Sequence, residues 1–291
     1  MRLSSIRRHI ARKFKSGEAK TEQPPVAGQP KNSDEDISFL PDMNQWVRTH
    51  YVGVVDEFMA AIGSLEGKRI LDLGCGEMLM TYGLASRGAE EVVGLDITKL
   101  DPDKSLKTLV DGGFPDAANY RDRVSAAVYD GKSMPFPDEH FDIIFCWGVM
   151  EHVADVPAVL AEIKRVLKTG GIAFIKVFPW FHSYFGSHLS DFVPVPFAHL
   201  THDQAAMRAI IEKTAHEQTV VHPDMILDHM WKEYLTLNRY SADMFYRDVK
   251  AAGFSRDIWT LISRQHDLTD APPGYELSQL MVSGSDTILH K

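Results

Sequence analysis

Two glycines and three aspartates are spaced as a ligand crevice at the end of a sheet would need them. "LDLGCG" (71–76) puts Gly74 and Gly76 in a tight turn after an apolar run. Glycine has no β-carbon, so backbone there can approach a ligand closely. Asp96 follows Gly76 by twenty residues and closes a second apolar run. A carboxylate so placed can accept both hydrogen bonds of a ribose diol. Asp130, followed by Gly131, closes a third run. A dinucleotide fingerprint needs glycine or alanine three residues after Gly76. Leu79 stands there, which disfavours NAD and FAD.

Histidine supplies the second constellation. His152 lies in "MEHV", and His182 and His188 lie in "FHSYFGSHLSDF" (181–192), with His199 soon after. Histidine titrates near neutral pH, which suits a general base. For His152 the competing reading is a structural histidine that orders a loop. For His182, His188, Asp191 and His199 three readings stand. They form a substrate pocket with a histidine base, a metal site, or a packed lid whose histidines bond to backbone. Histidine and aspartate suit zinc or iron, but H-x5-H-x2-D matches no local ligand pattern, and no metal ligands are assigned.

The elements that must position these residues alternate. Short apolar runs at 69–74, 91–97, 124–130, 141–148 and 172–178 read as strands. Helical spacing covers 44–65, 78–87 and 156–171, the last with a lysine–glycine stop. Two or three helices follow over 203–252, then strands at 254–263 and 285–291. This order predicts an α/β fold with a mostly parallel sheet and helices on both faces. Ligands of such sheets sit at the carboxyl ends of the strands. The histidine- and aromatic-rich stretch begins just past the fifth strand, where a lid would lie.

Composition narrows the class. The chain has 291 residues, 44% hydrophobic and 24% charged, which fits a globular protein with a full core. No apolar run is long enough to span a membrane, and no secretory signal pattern opens the chain. Cys75 and Cys146 do not make a disulfide framework, which suits a reducing, cytoplasmic setting. The net charge of −9 disfavours nucleic acid as a partner. Charge is uneven: residues 1–20 carry +6 and the rest −15. Leu3, Ile6, Ile10 and Phe14 share one helical face in that basic start. It reads either as a soluble basic tail or as peripheral contact with an anionic membrane. "TEQPPVAGQPKNSDED" (21–36) reads as a linker, leaving 37–291 as the domain and about 179–240 as a lid insertion.

The segments 69–178 resemble the class I S-adenosylmethionine (SAM)-dependent methyltransferases of small molecules. "RILDLGCG" is similar to the family's first motif and "VVGLDI" to its ribose-binding strand. "YDGKSMPFPDEHFDIIFCWGVMEHV" is similar to the adenine-binding segment and fourth strand, and "LAEIKRVLKTGGIAFIKV" to the helix and strand that follow. The resemblance implies a Rossmann-like sheet whose last strand is antiparallel, with SAM as cofactor. It implies that Asp72, Gly74, Cys75 and Gly76 line the methionine end. Asp96 and Ile97 would hold the ribose side, Asp130 and Gly131 the adenine. Cys146, Trp147 and Gly148 would flank the sulfonium. The activity it implies is methyl transfer to a small-molecule acceptor, most readily at oxygen. A non-catalytic SAM-binding partner protein and a metal-dependent C-methyltransferase are the other readings.

Overall fold

The computed structural model describes residues 43–190, 192–217 and 223–291. The basic start, the linker and Asp191 lie outside them. Seven strands form one sheet in the order β3-β2-β1-β4-β5-β7-β6. These are β1 (Arg69–Leu73), β2 (Glu91–Asp96), β3 (Val124–Val128), β4 (Phe141–Trp147), β5 (Leu167–Val177), β6 (Arg256–Ser263) and β7 (Val282–His290). The first five pair in parallel, and β7 runs antiparallel to both β5 and β6. The mostly parallel order with an antiparallel last strand is therefore as the sequence predicts.

Both faces are covered because strand side chains alternate. Leu71, Leu73, Ile144 and Cys146 point into one core with α5 (Val156–Val166) and α9 (Ala242–Ala252). Ile70, Ile143, Phe145 and Trp147 point into the other. That second core holds Trp46 of α1 (Met43–Arg48), Phe58 of α2 (Val54–Ile62) and Tyr82 of α3 (Leu79–Ser86). A π-helical turn, Thr49–Gly53, joins α1 to α2. Helix starts are capped as their sequences suggest. Asp101 caps α4 (Pro102–Asp111), Asp155 caps α5 and Ser241 caps α9.

One boundary differs from expectation. Helix α5 stops at Val166, not at the lysine–glycine pair, and β5 begins at Leu167. Leu167 is fully buried and pairs with Phe141, and a register shift then brings Ile172 opposite Ile143. Tertiary pairing thus takes residues whose local pattern reads as a helix end. A smaller difference is that β2 ends at Asp96, which leaves Ile97 outside it and 65% exposed.

Between β5 and α9 the chain forms α6 (Ala198–Thr201), α7 (Gln204–Glu217) and α8 (Pro223–Thr236). Their apolar faces pack with Phe181, Leu189, Phe192 and Val193 into a third, separate core. The short α10 (Leu277–Met281) leads into β7. No described helix is long and apolar enough to cross a membrane.

Candidate active site

The turn after β1 is shaped by its glycines. Gly74 and Gly76 sit at φ +72° and +52°, in the left-handed region. A β-carbon on Gly74 would stand 2.3 Å from a Val149 methyl, so the turn and the loop after β4 need glycine to meet. Asp96 braces this turn. One carboxylate oxygen accepts from the Gly76 amide at 3.0 Å. The other accepts from the Thr98 amide and hydroxyl at 3.0 and 2.9 Å. Asp130 accepts from the amides of Lys132 and Ser133 at 2.8 and 2.7 Å. Those bonds hold its exposed carboxyl below the usual range. Gly131 (φ +83°) faces Ile97, with 3.7 Å between the Ile97 methyl and a β-carbon built on the glycine.

Asp72 is different from these. It is buried and accepts from the Thr81 hydroxyl at 2.6 Å, which ties β1 to α3. Cys75 and Cys146 are both buried and unlinked. Burial pushes the Cys146 thiol well up, which makes it a small apolar side chain. The Trp147 ring stacks on Phe145 and Phe174 within the core, and the Lys176 ammonium lies 4.6 Å from its centroid.

After β4 the chain makes a single 3-10 turn, Met150–His152. Asn238, just past α8, clamps it. The Asn238 side-chain amide donates to the carbonyls of Met150 and Val153 at 2.7 and 2.9 Å. Its backbone amide donates to the Glu151 carbonyl at 2.9 Å. The turn displays Glu151 and His152 toward the lid. His188, buried and held at φ +60°, comes down from the lid onto His152, with ring centroids 5.3 Å apart. Donor atoms of Glu151, His152 and His188 all lie within 4.8 Å of one another.

Each of these three has a distinct setting. Glu151 is 3% exposed, and its Oε2 has no hydrogen-bond partner among the described residues. Burial, with a smaller push from Glu233, raises its carboxyl to about 8. The His152 Nδ1 is 2.8 Å from the Thr236 hydroxyl. That hydroxyl donates to the Glu233 carbonyl at 2.8 Å, so it accepts from Nδ1–H. The tautomer so fixed places the His152 lone pair on Nε2, which faces Glu233 Oε2 at 3.9 Å.

The remaining lid histidines part company. His199 is buried, its ring N–H donates to the Phe181 carbonyl at 2.6 Å, and burial pulls it down to about 4. It packs the lid. His182 is half-buried, its ring centroid 5.1 Å from that of Tyr275 in an edge-on contact, and its Nδ1 is buried with no hydrogen-bond partner among the described residues. It is not part of the Glu151–His152–His188 cluster.

Residues 71–175 match a family model described as a methyltransferase domain. These residues are similar to the methyltransferase domain family, and the seven-stranded sheet is the Rossmann-like fold of class I methyltransferases. The match spans the glycine turn, Asp96, Asp130 and the turn after β4. Among curated relatives, a demethylmenaquinone methyltransferase of Symbiobacterium thermophilum is 32% identical over 129 residues. That alignment takes in 44% of this chain and 47% of that protein. A ubiquinone biosynthesis O-methyltransferase of Hahella chejuensis is 30% identical over 118 residues, 40% of this chain and 46% of that one. The chain thus spans about half the length of the curated relatives it matches. A solved structure titled as the [4+2]-cyclase SpnF has the same fold, with a TM-score of 0.50 at 16% identity. It covers 82% of this chain and 80% of its own.

The family model implies SAM as the cofactor, and the crevice offers groups that fit it. An exposed Ile97 side chain beside Gly131 offers an apolar face for a base, and Asp130 offers an ionised acceptor at its edge. Asp96 stands at the end of β2 with one oxygen on the glycine turn and the other on Thr98. Two groups beside His152 escape the sequence reading. Glu151 is quoted there only as the neighbour of His152, and Glu233 lies on a distant helix with no motif to mark it.

Proposed function

We propose that this protein transfers the methyl group of SAM to a small-molecule acceptor, most readily at an oxygen. The observation that carries this reading is the Glu151–His152–His188 cluster, built at the carboxyl end of β4 beside the cofactor crevice. The names of the two curated relatives, both quinone-pathway methyltransferases of small molecules, agree with it. The fold alone does not, since the same fold serves a protein named a cyclase.

SAM supplies an activated methyl group when bound. The chain's own residues must hold the acceptor in line, exclude water and take up a proton. His152 is assigned the proton, at Nε2, because Thr236 accepts from Nδ1–H and so leaves the lone pair on the cluster side. His188 is assigned the wall that brings the acceptor onto His152. His182 is assigned an anchoring role, since its buried Nδ1 has no partner among the described residues. Asp72, Gly74, Cys75 and Gly76 would cradle the methionine end, with Trp147 closing the base of the site from within the core. The lid's aromatic rings would shield the acceptor from water.

The test is transfer of labelled methyl from SAM into a lysate of the source cells, followed by separation into organic and aqueous phases. Label in either phase that disappears with His152→Ala supports the reading, and the phase names the acceptor class. Intact transfer in His152→Ala would remove the base assignment. No transfer to any fraction, with SAM binding retained, would favour a non-catalytic binder.

A further inference from the structure

Glu151 poses a problem that methyl transfer does not solve. A carboxyl group buried this deeply either is held protonated by its surroundings or is paired with a cation or a metal. Glu151 is 3% exposed, no ion pair joins it among the described residues, and its Oε2 lacks a hydrogen-bond partner. Instead it shares its space with two imidazoles and lies near a second carboxylate, Glu233. We propose that Glu151, His152 and His188 form a binding site for a divalent first-row transition ion such as zinc, with Glu233 as a fourth donor.

Three arguments carry this. First, the donor chemistry fits, because imidazole nitrogen and carboxylate oxygen are the ligands such ions take. Second, the spacing fits. Three donors each about 2.1 Å from one ion stand about 3.4–3.6 Å apart. Theirs lie within 4.8 Å of one another, so side-chain movements of about an ångström close the set. Third, the supports of a metal site are built. The Nδ1–H of His152 is held by Thr236, which aims Nε2 at Glu233 Oε2, 3.9 Å away. Asn238 fixes the turn that carries both Glu151 and His152. The donors come from the turn after β4 and from two parts of the lid, the stretch that holds His188 and helix α8. An ion would therefore pin the lid over the crevice.

The site deepens the methyl-transfer reading and rests on it only for the ion's use. With an ion on Nε2, His152 becomes a ligand rather than a base. The ion would orient the acceptor oxygen and lower the pKa of its hydroxyl, whose proton would pass to solvent.

Binding is tested without turnover. The full-length protein is stripped with a chelator and titrated with Co²⁺, with visible absorption as the readout and Zn²⁺ as competitor. SAM binding is measured on the same samples by calorimetry. We expect one Co²⁺ per chain, displaced by Zn²⁺. Glu151→Gln and His188→Ala should each weaken it ten- to a hundredfold, and His202→Ala, a surface control, should leave it unchanged. Each variant counts only if it still binds SAM, which reports an intact fold. No stoichiometric Co²⁺, or binding that survives Glu151→Gln and His188→Ala, overturns the proposal. SAM binding without Co²⁺ sinks the metal site alone. Co²⁺ binding without SAM binding sinks the methyl-transfer reading and leaves the site.

Discussion

His152 and Thr236 stand 84 residues apart in sequence and 2.8 Å apart in the fold. Their contact joins the turn after β4 to the last residue of α8, so the lid helix sets the tautomer of the histidine at the cofactor crevice. Thr236 is thus a positioning residue. It lies outside the Glu151–His152–His188 cluster, but it decides which nitrogen of His152 faces that cluster.

Thr236→Val keeps the shape and removes the acceptor for Nδ1–H. We expect kcat to fall by about tenfold, the order of effect seen when the orienting partner of a site histidine is lost. KM for SAM should hold, and the pH–rate profile should shift, because a freely rotating imidazole no longer presents one nitrogen. A fall in SAM affinity with an unchanged profile would instead mark Thr236 as structural.

Asn238→Ala removes two side-chain donors from the carbonyls of Met150 and Val153. Leaving part-buried carbonyls unpaired costs about 1–3 kcal/mol. Thermal unfolding should reveal that loss. Activity should drop further than stability accounts for, since the same turn carries Glu151 and His152. A variant with full kcat at a temperature well below its midpoint would separate the clamp from the site.

Asp96→Ala should weaken SAM binding at least tenfold, measured by calorimetry, because charge-assisted hydrogen bonds are worth about 1.5–3 kcal/mol. The carboxylate also braces Gly76 and Thr98. The enthalpy of unfolding must therefore be compared in parallel. Equal SAM affinity in a folded variant would reject the ribose assignment.

The strand ends were largely legible in the sequence. Gly74, Asp96 and Asp130 could be placed at the ends of β1, β2 and β3, because a parallel sheet delivers the ends of its strands to one crevice. What pattern could not show is what tertiary contact decides. Leu167 reads as the last turn of a helix, yet its pairing with Phe141 makes it a strand residue. His188 and His199 look alike in the chain. Only the fold sets one against His152 and ties the other to the Phe181 carbonyl. Asp72 looks like a ligand-lining residue in the chain, and only the fold shows its buried bond to Thr81, which ties β1 to α3. Glu233 had no local signal at all, since nothing in α8 announces which of its side chains meets the turn after β4.

His199 makes lid stability depend on pH, with a sign that can be worked out. In an unfolded chain a histidine titrates near 6.5, and in the fold burial holds His199 down to about 4. Between those values the unfolded state binds more protons, so folding loses stability as pH falls. The contribution is complete above 6.5, declines from there, and changes no further below about 4. Over that window it amounts to roughly 3 kcal/mol at most. The groups that face His199 are the Phe181 carbonyl, the Ser183 backbone and His182, whose own depression by burial acts in the same direction. His199→Gln keeps an N–H donor for the Phe181 carbonyl but cannot take up a proton. Urea unfolding at several pH values between 7.5 and 4.5 should show a steep loss for the native protein and a flatter one for the variant. The difference should come almost wholly from acid pH. If the two slopes coincide, the acid sensitivity arises elsewhere and His199 is only a packing residue. If the variant is flatter and its SAM affinity is unchanged at pH 7.5, the lid can be loosened by acid without disturbing the cofactor crevice.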